Sequence, residues 1–110
     1  MRPVFASQAV LWRADLDPEN AALIWFGLLP DGRYLSIEQL RVGMDRYNAA
    51  LRAVCEELDV EWIDLSSLDG DPAVFYDDCH FTETGARRVA QLIADWFIAH
   101  PAALLAEAVR

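Results

Sequence analysis

A long helical pattern that separates two strand-like segments is the feature that most constrains how this chain can fold. The pattern covers residues 36–58 and opens with Ser36-Ile37-Glu38-Gln39, a capping box that satisfies free N–H groups of the first helical turn. We interpret the apolar positions of the helix as core packing rather than a cofactor site, Cys55 as a small core residue, and Asn48 as a surface residue. Those positions recur every three or four residues and predict one stripe: Leu40, Met44, Tyr47, Leu51, Val54 and Leu58.

The segments on either side of this helix predict two parallel strands. Residues 3–11 form a nearly continuous apolar run, which is typical of a strand covered on both faces, and residues 60–65 alternate between apolar and polar. A strand, a crossover helix and a second strand form a βαβ unit with parallel strands and a right-handed crossover. Before the helix, Asp17-Pro18-Glu19 predicts a short helix start and Pro30-Asp31-Gly32 predicts a turn.

A second helical pattern follows the second strand. It covers residues 82–100, with Thr82 as the predicted N-cap. Pro101 interrupts the pattern, and residues 102–110 are expected to form a separate helical tail. The apolar face of the main helix consists of Val89, Leu92, Ile93, Trp96 and Phe97.

Composition excludes several classes of protein. With 110 residues, 55% of them hydrophobic, the chain is one globular domain at most and not a disordered one. Its net charge of −9 argues against nucleic acid as a partner. No apolar run is long enough to span a bilayer and no signal-peptide pattern is visible, so the sequence assigns no compartment. Two cysteines are too few for a disulfide framework.

Titratable residues crowd together just before the second helix, in Asp77-Asp78-Cys79-His80. A carboxylate three residues before a histidine can fold back in a turn and accept a hydrogen bond from one ring nitrogen. The other nitrogen is then free to accept a proton, which is the arrangement of the acid and base in a Ser-His-Asp triad. We therefore take Asp77 and His80 as the candidate catalytic pair, and Asp78 as the rival partner of the histidine.

Two other interpretations of this stretch are weaker. Metal binding by Asp77, Asp78, Cys79 and His80 together would require four nearly consecutive residues to close a tetrahedron, so no metal and no cofactor is expected. Cys79 is a poor candidate nucleophile because adjacent side chains usually diverge. A solvated acidic loop with a structural histidine is the remaining alternative, and it is the favoured one from these residues alone.

Ser7 lacks the glycine-flanked turn of a nucleophilic serine and is expected to be structural.

At these residues the sequence resembles the SGNH/GDSL hydrolases. The stretch Asp-x-x-His-Phe-Thr-x-x-Gly-Ala, residues 77–86, with the apolar helix after it, is similar to the last sequence block of that family. Residues 47–52 and 60–65 resemble the helix and strand that precede the block, and the likeness extends over residues 2–100.

The resemblance implies an α/β fold, a partial three-layer α/β/α (flavodoxin-like) arrangement with parallel strands. Residues 1–110 would form the single C-terminal βαβα portion of an SGNH-type hydrolase domain, starting at the fourth strand of the family. The resemblance also implies hydrolysis of a small-molecule ester through an acyl-enzyme, with Asp77 and His80 as members of the triad. Trp12, Trp25 and Phe26 are the candidate substrate-contacting residues, since small-ligand sites are mostly apolar.

The sequence contains neither the Gly-Asp-Ser block that carries the serine nucleophile of this family nor a Gly-x-Asn-Asp segment. We therefore expect a hydrolase fragment that is inactive alone and needs a missing N-terminal segment. The alternative is a non-catalytic α/β module that self-associates, for example as a dimer covering the apolar edge of its first strand.

Overall fold

Two parallel strands and the helix between them form the centre of the fold. A computed structural model describes residues 3–101 and 103, so most of the predicted tail at 102–110 lies outside the described residues. Strands β1 (Val4–Ala6) and β2 (Glu61–Ile63) pair in parallel, with Phe5 opposite Trp62. This confirms the predicted parallel βαβ unit. The wider three-layer arrangement stays a prediction.

The helices begin where their capping residues predict. Helix α1 spans Pro18–Ala21, helix α2 spans Ile37–Glu57 and helix α3 spans Glu83–Ala99. At the start of α2, Ser36 Oγ accepts from Gln39 N at 3.1 Å, while Gln39 Oε1 accepts from Ser36 N at 2.9 Å. Asp17 caps α1 and Thr82 caps α3. All three caps satisfy N–H groups that the helix itself cannot pair.

The first strand is shorter than the apolar run predicts. After β1 the chain continues as a buried segment, residues 7–12, in which every residue except Gln8 is buried. The backbone of this segment pairs mainly with loop residues rather than with a sheet. Within this buried segment, Val10 N donates to Asp69 Oδ1 and Leu11 N donates to the carbonyl of Asp78, both at 2.9 Å. The prediction of a strand over residues 3–11 is wrong in its length, because continuous hydrophobicity predicts burial and not the type of hydrogen-bond partner.

Alternate residues of the buried segment contact different helices. Ala9 and Leu11 belong to a core against which α3 packs through Val89, Leu92, Ile93 and Trp96. Val10 and Trp12 form a second core with Leu40 of α2. Both faces of the segment are therefore covered, as the apolar run predicts.

Helix α2 packs through only three of the six residues predicted for its apolar stripe: Leu40, Met44 and Leu51. Tyr47, Val54 and Leu58 are exposed by 58%, 48% and 64%. The packed positions follow the spacing 40, 44, 48, 51 and 55, with Leu40 and Cys55 buried and the other three half-buried. A two-stranded sheet offers α2 only a narrow contact, so one edge of its apolar face stays in solvent.

Asn48 lies on this packed stripe, where it is half-buried and has a partner that the sequence does not indicate. Its Oδ1 accepts from Gln8 N at 2.9 Å and its Nδ2 donates to Gln8 O at 3.0 Å. The side-chain amide thus satisfies both backbone groups of the exposed Gln8, directly after β1 and Ser7.

Gly85 allows the start of α3 to approach the backbone of Val74. A Cβ atom at position 85 would lie 2.1 Å from the Val74 carbonyl oxygen. The same carbonyl accepts from Thr82 N at 2.8 Å, so it is fixed in place. Close packing at the helix start therefore explains the glycine three residues after the N-cap.

Two glycine-to-alanine changes should shift stability in opposite directions. Gly85→Ala is expected to destabilise the chain by about 1–3 kcal/mol, because the new methyl group overlaps the Val74 carbonyl. Gly43→Ala is the matched control in α2, where a Cβ atom would meet nothing within 4 Å. It should stabilise by about 0.5–1 kcal/mol through helix propensity alone. Urea unfolding of both variants measures the difference, and an equal gain in both would contradict the packing argument.

Candidate functional site

His80 and Asp77 form a hydrogen-bonded pair in the loop before α3, which we call the dyad. His80 Nδ1 lies 2.8 Å from Asp77 Oδ2 and 3.0 Å from Oδ1. Asp77 Oδ1 also accepts from the backbone N–H of Cys79 at 3.1 Å and of His80 at 2.9 Å. Two backbone N–H groups of the loop therefore bond to the Asp77 carboxylate. The contact between Asp77 and His80 that the three-residue spacing predicts is present.

The imidazole is oriented on one side and open on the other. Because a carboxylate only accepts, the partner of His80 Nδ1 assigns the proton to that nitrogen and leaves Nε2 as the acceptor. No residue that the structure describes gives Nε2 a hydrogen bond, and the side chain is 57% exposed. Tyr76 stacks on the ring at 5.7 Å between centroids and 15° between planes. Nε2 is therefore available to a reacting group.

Local hydrogen bonds stabilise the charged form of Asp77. Burial is the largest single effect and raises the pKa of Asp77. The bonds from the backbone N–H groups of His80 and Cys79, and from the imidazole, together outweigh it, so the pKa lies below the ordinary 3.8. An acid that stays ionised keeps the imidazole in one orientation.

The lowered pKa of Asp77 predicts acid sensitivity. Its ionisation stabilises the fold fully above the unfolded pKa near 3.8, and this contribution is lost as pH falls through the lower folded pKa. The Asp77→Asn variant keeps all other carboxylates and lacks only the pH-dependent contribution of Asp77 to stability. We expect the free energy of unfolding to fall more steeply in the wild type below pH 4. Parallel curves for the two proteins in acid titrations of urea unfolding would rule this out.

Asp78 has a different function from its neighbour. It is fully buried, with 0% exposure, and its carboxylate does not contact His80. Oδ1 accepts from Trp12 Nε1 at 2.5 Å, and Oδ2 accepts from the backbone N–H of Trp25 at 2.8 Å and of Phe26 at 3.2 Å. Sequence reasoning considered Asp78 only as a rival for His80. Its partners lie 52 to 66 residues away, so no local pattern indicates them.

The three candidate substrate-contacting residues come together at this carboxylate. Trp12 is buried, while Trp25 and Phe26 are exposed by 55% and 50%. Ring centroids are 5.6 Å apart for Trp12 and Phe26 and 6.0 Å apart for Trp25 and Phe26. We call Trp25 and Phe26 the aromatic pair. The buried ring of Trp12 contacts the ring of Phe26. Of these three residues, only Trp25 and Phe26 present a large apolar surface to solvent.

A cavity of about 210 Å³ lies beside Trp12 but does not include the dyad. It follows the end of the buried segment, and charges of both signs surround it. Its lining residues are Val10, Trp12, Arg13, Asp15, Arg41, Met44, Asp45 and Asp69. The dyad and the aromatic pair are not among these lining residues.

Cys79 is poorly suited to chemistry. Burial, and then the negative charges of Asp77 and Asp78, raise the pKa of its thiol above the usual 9.0. Its side chain packs against the core of Val10 and Trp12. Potential ligand atoms of Asp77, Cys79 and His80 lie within 4.8 Å of one another, but Asp78 is not part of the group. The thiolate that a nucleophile or a metal ligand requires is therefore disfavoured.

Ser7 has the structural role expected from its sequence context. It is 6% exposed, and its Oγ accepts from the backbone N–H of Leu65 at 2.7 Å. This bond ties the start of the buried segment to the residues after β2. Ser7 is not available to His80 as a nucleophile.

No helix in the described part of the chain has the length and hydrophobicity needed to cross a membrane. Comparison of the sequence with protein-family models and with curated proteins, and of the structure with solved structures, found no match.

Proposed function

We propose that this chain supplies the general base and its orienting acid for ester hydrolysis by a serine nucleophile. The contact between Asp77 and His80 Nδ1, with Nε2 open, is the observation that carries the proposal. The carboxylate selects the tautomer, and the free nitrogen is the proton acceptor. The likeness of residues 77–86 to the last block of SGNH/GDSL hydrolases supports the same assignment.

In this mechanism His80 moves the proton in both directions. Nε2 takes the serine proton as Oγ attacks the ester carbonyl, and the resulting imidazolium is stabilised by ionised Asp77. The imidazolium then protonates the leaving alkoxide as the ester C–O bond breaks, which leaves an acyl-enzyme. Water enters, gives a proton to Nε2 and attacks the acyl carbonyl. The serine oxygen leaves with that proton, and the acid product is released.

The resemblance assigns the nucleophile of this mechanism to a Gly-Asp-Ser block, which this sequence does not contain. Ser7 is buried and engaged in a hydrogen bond. A serine and its oxyanion donors would be joined to this chain covalently or added in trans. We refer to that combination as the assembled enzyme.

The aromatic pair favours an ester with an apolar acyl or alcohol part. Trp25 and Phe26 are about half exposed, and their backbone is held by the residue next to Asp77. Small-ligand sites are lined mainly by apolar and aromatic side chains. The class of ester is the only substrate property that these residues indicate.

Hydrolysis of p-nitrophenyl butyrate tests the proposal. The 110-residue chain alone should not exceed its His80→Ala variant, because the chain lacks the Gly-Asp-Ser block. The product of the coding DNA directly upstream, joined to the chain or mixed with it, should restore turnover and react with a fluorophosphonate at a serine outside residues 1–110. Turnover by the chain alone that His80→Ala abolishes would overturn the assignment of the nucleophile, and assembled activity that survives His80→Ala would overturn the assignment of the base.

A self-associating, non-catalytic module is the second candidate. The exposed side chains of Tyr47, Val54 and Leu58 on α2, and of Phe5 on β1, favour it because they leave apolar surface uncovered. A chain that folds cooperatively and shows no hydrolysis with any upstream product would favour this candidate over the first.

A further inference from the structure

We propose that Asp78 is a positioning residue that anchors the aromatic pair to the loop of the dyad through its buried carboxylate. One residue thereby joins the substrate-contacting surface to the catalytic loop. The role in substrate binding rests on the proposed function. The role in holding Trp25 and Phe26 does not, and it can be measured without any activity.

The fully buried carboxylate of Asp78 accepts three hydrogen bonds. All three partners of the carboxylate are N–H donors, from Trp12, Trp25 and Phe26. An ionised carboxylate is the acceptor-only group that can satisfy all three. Charged side chains are rarely buried unless they are well hydrogen-bonded, so these bonds have to be kept for Asp78 to remain inside.

The aromatic pair has little other support from regular structure. It lies in the connection between α1 and α2, outside the helices and strands. Two residues further on, Leu28 forms an isolated bridge with Tyr34, and Gly27 O accepts from Leu35 N at 2.9 Å. The amides of Trp25 and Phe26 point instead to Asp78 Oδ2. A segment whose rings are half exposed is thus anchored through its backbone.

Asp78 also ties the catalytic loop to the buried segment. Its carbonyl accepts from Leu11 N at 2.9 Å, while its neighbour Asp77 binds His80. The backbone of Asp78 therefore fixes the loop, and its side chain fixes the aromatic pair. A displacement of this residue would separate the two parts of the site.

Amide hydrogen exchange of Asp78→Ala, compared with Asp77→Ala, tests the proposal. An asparagine at position 78 could keep its oxygen on both amides of the pair, whereas an alanine leaves them no side-chain acceptor. In Asp78→Ala the amides of Trp25 and Phe26 should exchange faster by at least about tenfold relative to those of α2 and α3. Asp77→Ala, one residue away, should leave the exchange of the pair unchanged relative to the helices. Unchanged relative protection of the pair in a folded Asp78→Ala would overturn the proposal.

A second measurement covers the case in which Asp78→Ala does not fold. In the wild type, scalar couplings across the hydrogen bonds should connect the amide nitrogens of Trp25 and Phe26 to the carboxyl carbon of Asp78. The absence of both couplings would overturn the proposal. In the assembled enzyme, Asp78→Ala should raise KM for p-nitrophenyl butyrate more than it lowers kcat, and Asp77→Asn should do the reverse. A lack of all esterase activity would remove the proposed function, and the exchange result would still decide the role of Asp78 in holding the pair.

Discussion

Replacing His80 with alanine is expected to lower kcat of the assembled enzyme by about 10⁶, the usual cost of removing the base of a serine triad. The variant loses the only described imidazole that has a carboxylate on Nδ1 and an open Nε2. Asp77→Asn should cost about 10⁴, since it removes the charge that stabilises the imidazolium. KM should change little in both variants. Steady-state kinetics with p-nitrophenyl butyrate provides all of these values.

His100→Ala is the matched control for this result. His100 is exposed at the end of α3, where its Nδ1 bonds to the carbonyl of Trp96 at 2.8 Å and its ring stacks on that indole. It has no carboxylate partner among the described residues, so its removal should leave kcat unchanged. Equal losses in His80→Ala and His100→Ala would indicate damage to the fold rather than to the catalytic step.

Replacing Asp78 with alanine should destabilise the chain by at least about 3 kcal/mol. The change leaves one buried and two partly buried N–H donors without their acceptor, and each unsatisfied group costs about 1–3 kcal/mol. Total stability of a domain this size is only about 5–15 kcal/mol, so the variant should lie close to unfolding. Urea unfolding followed by far-UV circular dichroism measures the loss, and a chain already unfolded at 25 °C would agree with it.

Asp77→Ala is the comparison for this prediction. Asp77 also accepts several hydrogen bonds, but its side chain is 18% exposed and water can replace part of them. We expect a loss of about 1 kcal/mol. Substitution of Asp78 should therefore mainly lower the free energy of unfolding, whereas substitution of its neighbour Asp77 should mainly lower kcat. Equal losses of stability would contradict the contrast in burial.

Local chemistry allowed much of this site to be predicted from the sequence. The caps at Asp17, Ser36 and Thr82, and the contact between Asp77 and His80, each involve residues three positions apart. At that spacing, the geometry of a turn or of a helix start largely determines which groups meet. Whether the dyad is catalytic stays a prediction.

Features that depend on distant residues were missed or misplaced. The donors that reach Asp78 and the pairing of Asn48 with Gln8 join residues 40 to 66 positions apart. Periodicity placed Tyr47, Val54 and Leu58 in the core of α2, but it gives no information on how wide a surface the sheet offers. The predicted length of β1 is too great for a related reason. An apolar run does not reveal whether its backbone groups will pair with a neighbouring strand or with loop residues.

The buried segment has a consequence for the order of folding. Residues 7–12 are synthesised before all of the residues that supply their partners: Asn48, Ile63, Asp69 and Asp78. The bond between Val10 and Asp69 alone spans 59 positions. Contacts that close such long loops form slowly, because the chain loses conformational entropy on closing the loop before the new contacts can stabilise it. The buried segment is therefore among the last parts of the described chain to become native, and its apolar side chains remain exposed until the loop that carries Asp77 and Asp78 has been made.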